Sequence, residues 1–436
     1  MSALRPASAR ELVALGLEQR RQAGERYFAQ RADELARLCH RMAERFARGG
    51  RLIAIGVSPA ARSDVRHVAV EFVHPVIVGK RALPAFGLTG ESARLERELA
   101  LEATAQDIVI AFGEPDEGSA LPGALRVARE RGCETIAFAA LGAAFELDPP
   151  ARDPFVRQEL VETAYHVLWE LVHVFFEHRG LLAGRTERRS HDAGASSFLY
   201  PFLAEREDDL DAVLADVRES VLLKWREVAE LRAAMIESSE PALVEAAGAL
   251  RESLGQGGRL LALGNGGSAT DAMDVVADFA TSGESRGGAE GSSGGAEGSS
   301  GEAEGSSGGP EGASGRAGWE PRPALDLTAD SAILTAIAND IGVEAIFARQ
   351  VIAYGRPGDV VIALSTSGNS LSVLDALGQA RRDGLGTIAF VGYDGGRVAA
   401  EGLADHVIVA PSQHIPRIQE AQATGYHLLR ELVELA

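Results

Sequence analysis

The sequence predicts an α/β protein made of two copies of one domain, each a parallel sheet flanked by helices. Two apolar runs, RLIAIG from residue 51 and RLLALG from residue 259, each follow a long charged stretch of helical period that ends in Gly-Gly. Such runs are typical of strands buried on both faces. Asp107 and Asp359 then open the similar words DIVIAF and DVVIAL, and Thr135 and Thr387 open TIAF at the same distance beyond them. Equal spacing of matching words indicates a duplication.

The elements of each copy follow in the same order. A helical stretch, from about residue 11 to 47 or from about residue 208 to 254, precedes the first apolar run. The helical stretches GALRVARERGC and DALGQARRDGL separate the later apolar words, so each copy is a series of strands joined by helices. This alternation predicts a three-layer α/β/α domain of the flavodoxin-like kind.

Composition bounds the size of the protein and its partners. The chain has 436 residues, of which 46% are hydrophobic and 24% charged, enough for two domains with buried cores. The net charge of -20 would repel a phosphate backbone, so we expect no nucleic acid as a partner. No uninterrupted apolar stretch is long enough to span a membrane. Two cysteines and an N-terminus without a signal-peptide pattern lead us to expect the cytoplasm.

The boundaries follow from the two copies and from what lies outside them. We expect a first domain over residues 1–180, a linker over residues 181–207 and a second domain over residues 208–436. Within the second domain, residues 282–316 carry a repeated GAEGSS word without a large apolar side chain. Such a segment cannot offset its ordering entropy by burial, so we expect a disordered insertion.

Two small, hydroxyl-rich turns follow predicted strands of the second copy. GNGGS at residues 264–268 follows LLAL, and STSGNS at residues 365–370 follows VVIAL. Open α/β sheets bind ligands at this edge, where N–H groups at a helix N-terminus point at an anion. Ser and Asn are also ordinary helix caps. Four hydroxyls in six residues exceed the need of a cap, so the pattern favours phosphate binding.

The second copy resembles the phosphoheptose isomerases, the sedoheptulose 7-phosphate isomerases of the SIS sugar-isomerase superfamily. The resemblance is carried by GNGGSATDAMDVVADF, TADSAILTAIANDIGVEAIFARQV, GRPGDVVIALSTSGNS and RIQEAQATGYHLLRELVE. It implies that both domains are of the SIS type. It also implies a set of residues that contact the sugar phosphate: Asn265, Ser268, Asp340, Ser365, Thr366, Ser367 and Ser370.

The resemblance further implies a His and a Glu four residues apart on the first helix, with a Gln and a His on the last helix, as metal ligands and as acid and base. In the second copy Gln419 and His427 match, but the first-helix positions are Asp274 and Asp278. Aspartate shortens one side chain and replaces a neutral ligand in the other. These four residues are therefore only a possible second centre.

The first copy keeps what the second copy lacks. Alignment of the two apolar runs, with one extra residue allowed in the turn, places Asp64, His67 and Glu71 opposite Asp271, Asp274 and Asp278, and Gln158 and His166 match the last-helix pair. We expect Zn²⁺, or another divalent cation, near His67, Glu71, Gln158 and His166. Of these, Glu71 is the expected base and His166 the expected acid.

The first copy has in turn lost the phosphate turn. Opposite STSGNS lies GEPDEG at residues 113–118, where three carboxylates replace hydroxyls and a proline removes one N–H donor. Like charges repel a phosphate dianion. We therefore expect composite sites, in which the first copy supplies the reactive side chains and the second copy holds the phosphate.

Two functions from different classes remain open. The first is an aldose–ketose isomerase that converts sedoheptulose 7-phosphate to a heptose 7-phosphate through an enediol. The alternative is a non-catalytic SIS module that binds a phosphosugar or acts in regulation through a protein partner. The resemblance implies a homotetramer of single domains, so a duplicated chain is expected to form a homodimer with a four-domain core.

Overall fold

The structure, a computed structural model, describes residues 8–76, 80–90, 92–113, 120–177, 182, 209–281 and 319–435. The predicted linker, apart from Leu182, and the predicted insertion lie outside the described residues. The acidic positions 114–118 of the first copy also lie outside them.

The first half forms a five-stranded parallel sheet in the order β2-β1-β3-β4-β5. Its elements are α1 (Ala9–Ala47), β1 (Leu52–Gly56), α2 (Pro59–Val73), β2 (Ala85–Thr89), α3 (Ser92–Glu102), β3 (Ile108–Phe112), α4 (Ala120–Glu130), β4 (Glu134–Ala137), β5 (Phe145–Glu146) and α5 (Pro154–Glu177).

The second half forms another five-stranded parallel sheet, in the order β7-β6-β8-β9-β10. Its elements are α6 (Leu210–Gly255), β6 (Leu260–Leu263), α7 (Gly267–Ala280), β7 (Ala324–Asp326), α8 (Ser331–Asp340), α9 (Ala348–Tyr354), β8 (Val360–Ser365), α10 (Leu371–Arg382), β9 (Gly386–Gly392), α11 (Gly396–Ala400), β10 (His406–Ala410) and α12 (Ile415–Val433).

Both sheets have the same strand order, which confirms the predicted fold class. The two halves also share individual hydrogen bonds. The carboxylate of Asp107 accepts from the backbone N–H of Arg51 at 2.8 Å, and that of Asp359 accepts from the N–H of Arg259 at 3.0 Å. Each contact ties the start of the central strand to its neighbour, so the repeated Asp has one structural role in both halves.

The Gly-Gly pairs end the two long helices. Gly49 has a φ of 88° and Gly257 a φ of 87°, the left-handed conformation that favours glycine after a helix. A Cβ on Gly50 would overlap the carbonyl oxygen of Gln106, and a Cβ on Gly258 would lie 2.7 Å from that of Gly358. The pairs therefore set the sharp entry into each buried first strand.

The helices between the two sheets position the site. Apolar residues of α1, α2, α5 and the first part of α6 pack on one face of the first sheet, and those of α6, α7 and α12 pack on one face of the second. The outer faces are covered by α3 and α4 and by α9 and α10. Both α5 and α12 are buried along almost their whole length although they carry many polar side chains. Buried polar groups need partners, so the polar side chains between these helices are candidates for a functional site.

None of the helices that the structure describes is both long enough and apolar enough to cross a bilayer.

Candidate functional site

A buried cluster centred on His67 joins side chains of both halves. The His67 Nε2 atom lies 3.3 Å from His166 Nε2 and 3.2 Å from Gln419 Nε2. Helix α2 supplies His67, α5 supplies His166 and α12 of the second half supplies Gln419. Glu71, one turn after His67 on α2, places its Oε1 3.9 Å from His67 Nε2. The structure therefore brings three predicted residues of the first half against one of the second.

The outer nitrogens of both imidazoles are held by hydrogen bonds. His67 Nδ1 lies 3.0 Å from the hydroxyl of Tyr165, and His166 Nδ1 lies 2.8 Å from Oε1 of Glu420. A carboxylate or hydroxyl on one ring nitrogen fixes the ring and leaves the other nitrogen for a ligand, as is usual for metal-binding histidines. Both Nε2 atoms therefore point at the same place in the interior.

Buried carboxylates surround this place. Burial raises the pKa of Glu71 to about 7, an effect that the charge of His166 opposes and those of Glu170 and Glu420 reinforce. Burial and the neighbouring carboxylates, Asp271 first, raise the pKa of Glu162 well above its ordinary value. Asp271 itself has a raised pKa because of burial and the nearby Asp274 and Glu71. Excess buried negative charge favours protons or a bound cation at this site.

Oxygen atoms without partners line the same interior. Within the described residues, Glu71 Oε2, Glu162 Oε1, Gln419 Oε1 and both oxygens of Asp271 make no hydrogen bond although they are buried. Such groups are costly in a native protein unless a ligand, ion or water satisfies them.

The His67, Glu162 and His166 ligand atoms lie within 4.8 Å of one another. Two imidazoles and a carboxylate form a donor set that proteins use for catalytic Zn²⁺.

The two predicted phosphate turns meet at the carboxyl edge of the second sheet. Asn265, in the turn before α7, donates from Nδ2 to the hydroxyl of Ser372 in the first turn of α10 at 3.0 Å. Ser370 occupies the N-cap position of α10, but its side chain makes no capping hydrogen bond. Ser365 is buried at the end of β8, and its hydroxyl makes no hydrogen bond within the described residues. Within the described residues, neither of these two hydroxyls therefore caps a helix.

The remaining turn residues hold the shape of this edge. Ser268 is buried in the first turn of α7, and its N–H donates to the carbonyl of Asn265 at 3.1 Å. Thr366 is half-buried, and Ser367 Oγ accepts from the N–H of Asn369 at 3.2 Å. Gly368 has a φ of 61°, so the loop turns back sharply before α10.

The phosphate edge adjoins the His67 cluster through the start of α7. A Cβ on Gly267 would lie 2.9 Å from His67 Nε2 and would overlap the side-chain nitrogen of Gln419. The first residue of α7, which begins at the first predicted phosphate turn, therefore lies against His67 of the other half.

Asp340 is the remaining predicted substrate contact. It is exposed at the end of α8 and accepts a hydrogen bond from the side chain of Asn339 at 2.7 Å. No hydrogen bond joins Asp340 to the phosphate turns within the described residues.

The possible second centre is an ion-pair network. His427 Nδ1 lies 2.8 Å from Glu159 Oε1, and His427 Nε2 lies 3.4 Å from Asp278 Oδ2. Arg20 pairs with Glu159 at 2.8 Å and Arg232 lies 3.5 Å from it. Burial would raise the pKa of Glu159, but the Arg20 charge, the His427 hydrogen bond and the Arg232 charge hold it well below the ordinary range. Guanidinium groups therefore neutralise the buried carboxylate here.

The Gln and His residues of the last helices do not divide between the two centres according to the half from which they come. Gln419, assigned to the second centre, lies against His67, whereas His427 of the same helix faces Asp278. Gln158, assigned to the first centre, is buried, and its amide makes no hydrogen bond within the described residues. Asp274 accepts from the hydroxyl of Ser63 of α2 at 2.5 Å. The reason is that residues eight apart on one helix lie about 12 Å apart along its axis and so reach different centres.

Sequence reasoning missed Glu162, Glu420 and Tyr165. Glu162 lies four residues before His166, a spacing that places both on one helix face, but the second copy has Ala423 there and a comparison of the copies discards it. Glu420 follows Gln419 as Glu159 follows Gln158. The repeated Gln-Glu pair was the sequence signal from which Glu420 could have been predicted.

Known proteins are similar to this chain in sequence. The SIS domain family model matches residues 311–392. A phosphoheptose isomerase of Roseiflexus sp. (strain RS-1) is 40% identical over 202 residues, which are 46% of this chain and 84% of that protein. One of Aquifex aeolicus (strain VF5) is 38% identical over 216 residues, 50% of this chain and 95% of that protein.

The chain belongs to the phosphoheptose isomerase family. This membership confirms the resemblance and places the chain among sugar-phosphate isomerases.

The fold of the whole chain has its own parallel. The C-terminal domain of glucosamine-fructose-6-phosphate aminotransferase from Francisella tularensis superposes with a TM-score of 0.55 over 99% of this chain and 97% of that one, at 9% identity. The likeness shows that the fold of the whole chain, with both halves, occurs in another single chain.

Proposed function

We propose that the chain converts sedoheptulose 7-phosphate to a heptose 7-phosphate in a composite site, with the reacting carbons beside α2 and α5 and the phosphate held by the second half. The observation that carries the proposal is the position of His67 Nε2, 3.2 Å from Gln419 Nε2 and next to Gly267. A chain that only bound a phosphosugar would have no need of the His67 cluster beside its anion site.

The phosphate is anchored by the turns at residues 264–268 and 365–370. Three features support this assignment: the Ser365 hydroxyl makes no hydrogen bond within the described residues, the Ser370 side chain does not cap α10, and the N-terminus of α10 favours an anion. An anion held there fixes the far end of the sugar, and this remote binding energy orients the reacting carbons.

Glu71 acts as the base. A carboxylate whose pKa is raised to about 7 is ionised in part at neutral pH and holds a proton readily, which suits transfer between adjacent carbons. After the ring opens, Glu71 removes a proton from C1 of the ketose, and the electron pair of the C–H bond forms the C1=C2 bond of an enediolate that carries its negative charge on O2. The same carboxylic acid returns the proton to C2, while a hydroxyl proton moves from O1 to O2, and the aldose forms.

The donor set at the cluster fits a divalent cation, for which we propose Zn²⁺. The Nε2 atoms of His67 and His166 converge, and the Nδ1 atoms of both rings are hydrogen-bonded. Buried carboxylate oxygens beside them make no hydrogen bond within the described residues. A bound Zn²⁺ would supply Lewis acidity that polarises the sugar carbonyl. His166 directs only its Nε2 at this place, since Glu420 holds its Nδ1. We assign that nitrogen to the cation, and the expected role of His166 as the acid is set aside.

We also propose that two chains associate into a homodimer. Helix α8 has no buried residue although it reads SAILTAIAND, and Ile341 and Val343 beyond it are more than half exposed. Exposed apolar surface of this kind marks a contact face. Asp340 lies at the end of this helix, so a second copy would bring it toward covered surface. Light scattering that reports a single chain at micromolar concentration would contradict the dimer.

Purified protein tests the activity. With Zn²⁺ added, the wild type should convert sedoheptulose 7-phosphate, followed by the appearance of an aldose phosphate. Glu71→Gln should bind the substrate without turnover, and Ser367→Ala should raise KM. Binding without conversion by the Zn²⁺-loaded wild type would contradict the proposal and favour a binding module.

A further inference from the structure

Glu162 is the third member of the group of ligand atoms that also contains His67 and His166. The three atoms lie within 4.8 Å of one another, so one cation can reach all of them. Glu162 and His166 stand four residues apart on α5, and His67 approaches from α2. The side chain of Glu162 is buried, and its Oε1 makes no hydrogen bond within the described residues.

Three independent features point to a ligand at this position. Tyr165 and Glu420 occupy the outer nitrogens of His67 and His166, so both inner nitrogens face the group. Within the described residues, Glu162 forms no ion pair with an arginine, whereas Glu159, three residues earlier on the same helix, pairs with Arg20. The second half has Ala423 at the matching position, so Glu162 is not required by the fold.

Glu71 is held differently. Its Oε1 lies 3.9 Å from His67 Nε2, and its Oε2 makes no hydrogen bond within the described residues. Glu71 is not part of the group formed by His67, Glu162 and His166. One glutamate cannot act at once as a tight metal ligand and as a freely ionising base.

We propose that Glu162, with His67 and His166, holds the divalent cation, and that this ligand leaves Glu71 free for proton transfer. Two histidines and one glutamate are a known ligand set of catalytic zinc sites, which keep a further position open for substrate. The inference rests on the proposed function for the role of Glu71, whereas the ligand role of Glu162 stands on the geometry alone.

Metal affinity measured without substrate tests the ligand role. Metal-free protein is titrated with Zn²⁺ in competition with a chromogenic chelator, and Co²⁺ absorption reports the ligand field. Glu162→Gln should weaken Zn²⁺ binding by roughly tenfold or more and change the Co²⁺ spectrum, because an anionic ligand is lost. Glu71→Gln should change the affinity by less than about threefold while turnover is lost.

Asp271→Asn is the matched control. Asp271 is a buried carboxylate of the same surroundings whose two oxygens make no hydrogen bond within the described residues, but it lies outside the ligand group. If the loss in Glu162→Gln came from the removal of nearby negative charge alone, Asp271→Asn would weaken Zn²⁺ binding equally. That result would overturn the proposal, as would full Zn²⁺ affinity in Glu162→Gln with loss of binding in Glu71→Gln.

The two proposals fail separately. Weakened Zn²⁺ binding in Glu162→Gln by a protein that does not isomerise sedoheptulose 7-phosphate would uphold the ligand and refute the activity. Turnover by the wild type with unchanged Zn²⁺ binding in Glu162→Gln would refute the ligand alone. Thermal unfolding of each variant in chelator shows that the folded state is retained.

Discussion

We predict that Gly267→Ala strongly slows the reaction, although Gly267 belongs to the second half, which lacks the histidine–glutamate pair. Gly267 is the first residue of α7, and its φ is not in the left-handed region, so alanine is compatible with its backbone. The added Cβ would overlap the side-chain nitrogen of Gln419 and lie 2.9 Å from His67 Nε2. The first half has alanine, Ala60, at the matching position.

The size of the effect follows from the displacement. Relief of the overlap requires Gln419 and His67 to move by roughly 1 Å, and a misplacement of that size costs about a hundredfold in rate. The assay is kcat for sedoheptulose 7-phosphate in the presence of Zn²⁺. Because the nearest neighbours of the added Cβ are Gln419 and His67 rather than the turn at residues 365–370, KM should change by less than about threefold.

Gly248→Ala is the matched control. Gly248 lies inside α6 with no heavy atom within 4 Å of a built Cβ. Its replacement should leave kcat unchanged and raise stability by about 0.5 kcal/mol. Equal kcat values for Gly267→Ala and the wild type would refute the placement of α7 against the catalytic residues.

Three further outcomes follow from the same contacts. Because the pKa of Glu71 is raised to about 7 in the folded state, the folded protein loses stability as pH rises through that value. In urea titrations between about pH 6 and about pH 8, the unfolding free energy of chelator-treated wild type should therefore fall by roughly 1.4 kcal/mol more than that of Glu71→Gln. Equal pH dependence of the two proteins would contradict this. Ser370→Ala should cost less than about 0.5 kcal/mol in thermal unfolding yet raise KM, because its hydroxyl caps no helix; a loss of about 1 kcal/mol with unchanged KM would indicate capping. Arg20→Met should lower unfolding free energy by about 3 kcal/mol, since it leaves Glu159 short of a buried partner, without changing Zn²⁺ affinity; weaker Zn²⁺ binding would show that the second centre is linked to the first.

The fold could be predicted because its signals are local and repeated. The words around Asp107 and Asp359 each encode a strand that is buried on both faces, and their equal distances to Thr135 and Thr387 encode the same crossover helix. Strand order within each half follows from such connections.

The partners of the site residues could not be predicted in the same way. Whether Gln158 or Gln419 lies beside His67 depends on how α2 packs on α7 and α5 on α12. Helical periodicity tells which face of a helix is buried, but on α5 and α12 almost every face is buried, so periodicity does not select a partner. Comparison of the two copies found the residues they share and missed Glu162, which has no counterpart in the second.

A structure of Glu71→Gln with sedoheptulose 7-phosphate bound tests the division of labour between the halves most directly. The phosphate should lie against Ser365, Ser367 and Ser370, with C1 and C2 next to the residue-71 side chain and His67 of the same chain. A sugar whose phosphate occupies that turn while its C1 and C2 lie away from α2 would contradict the account.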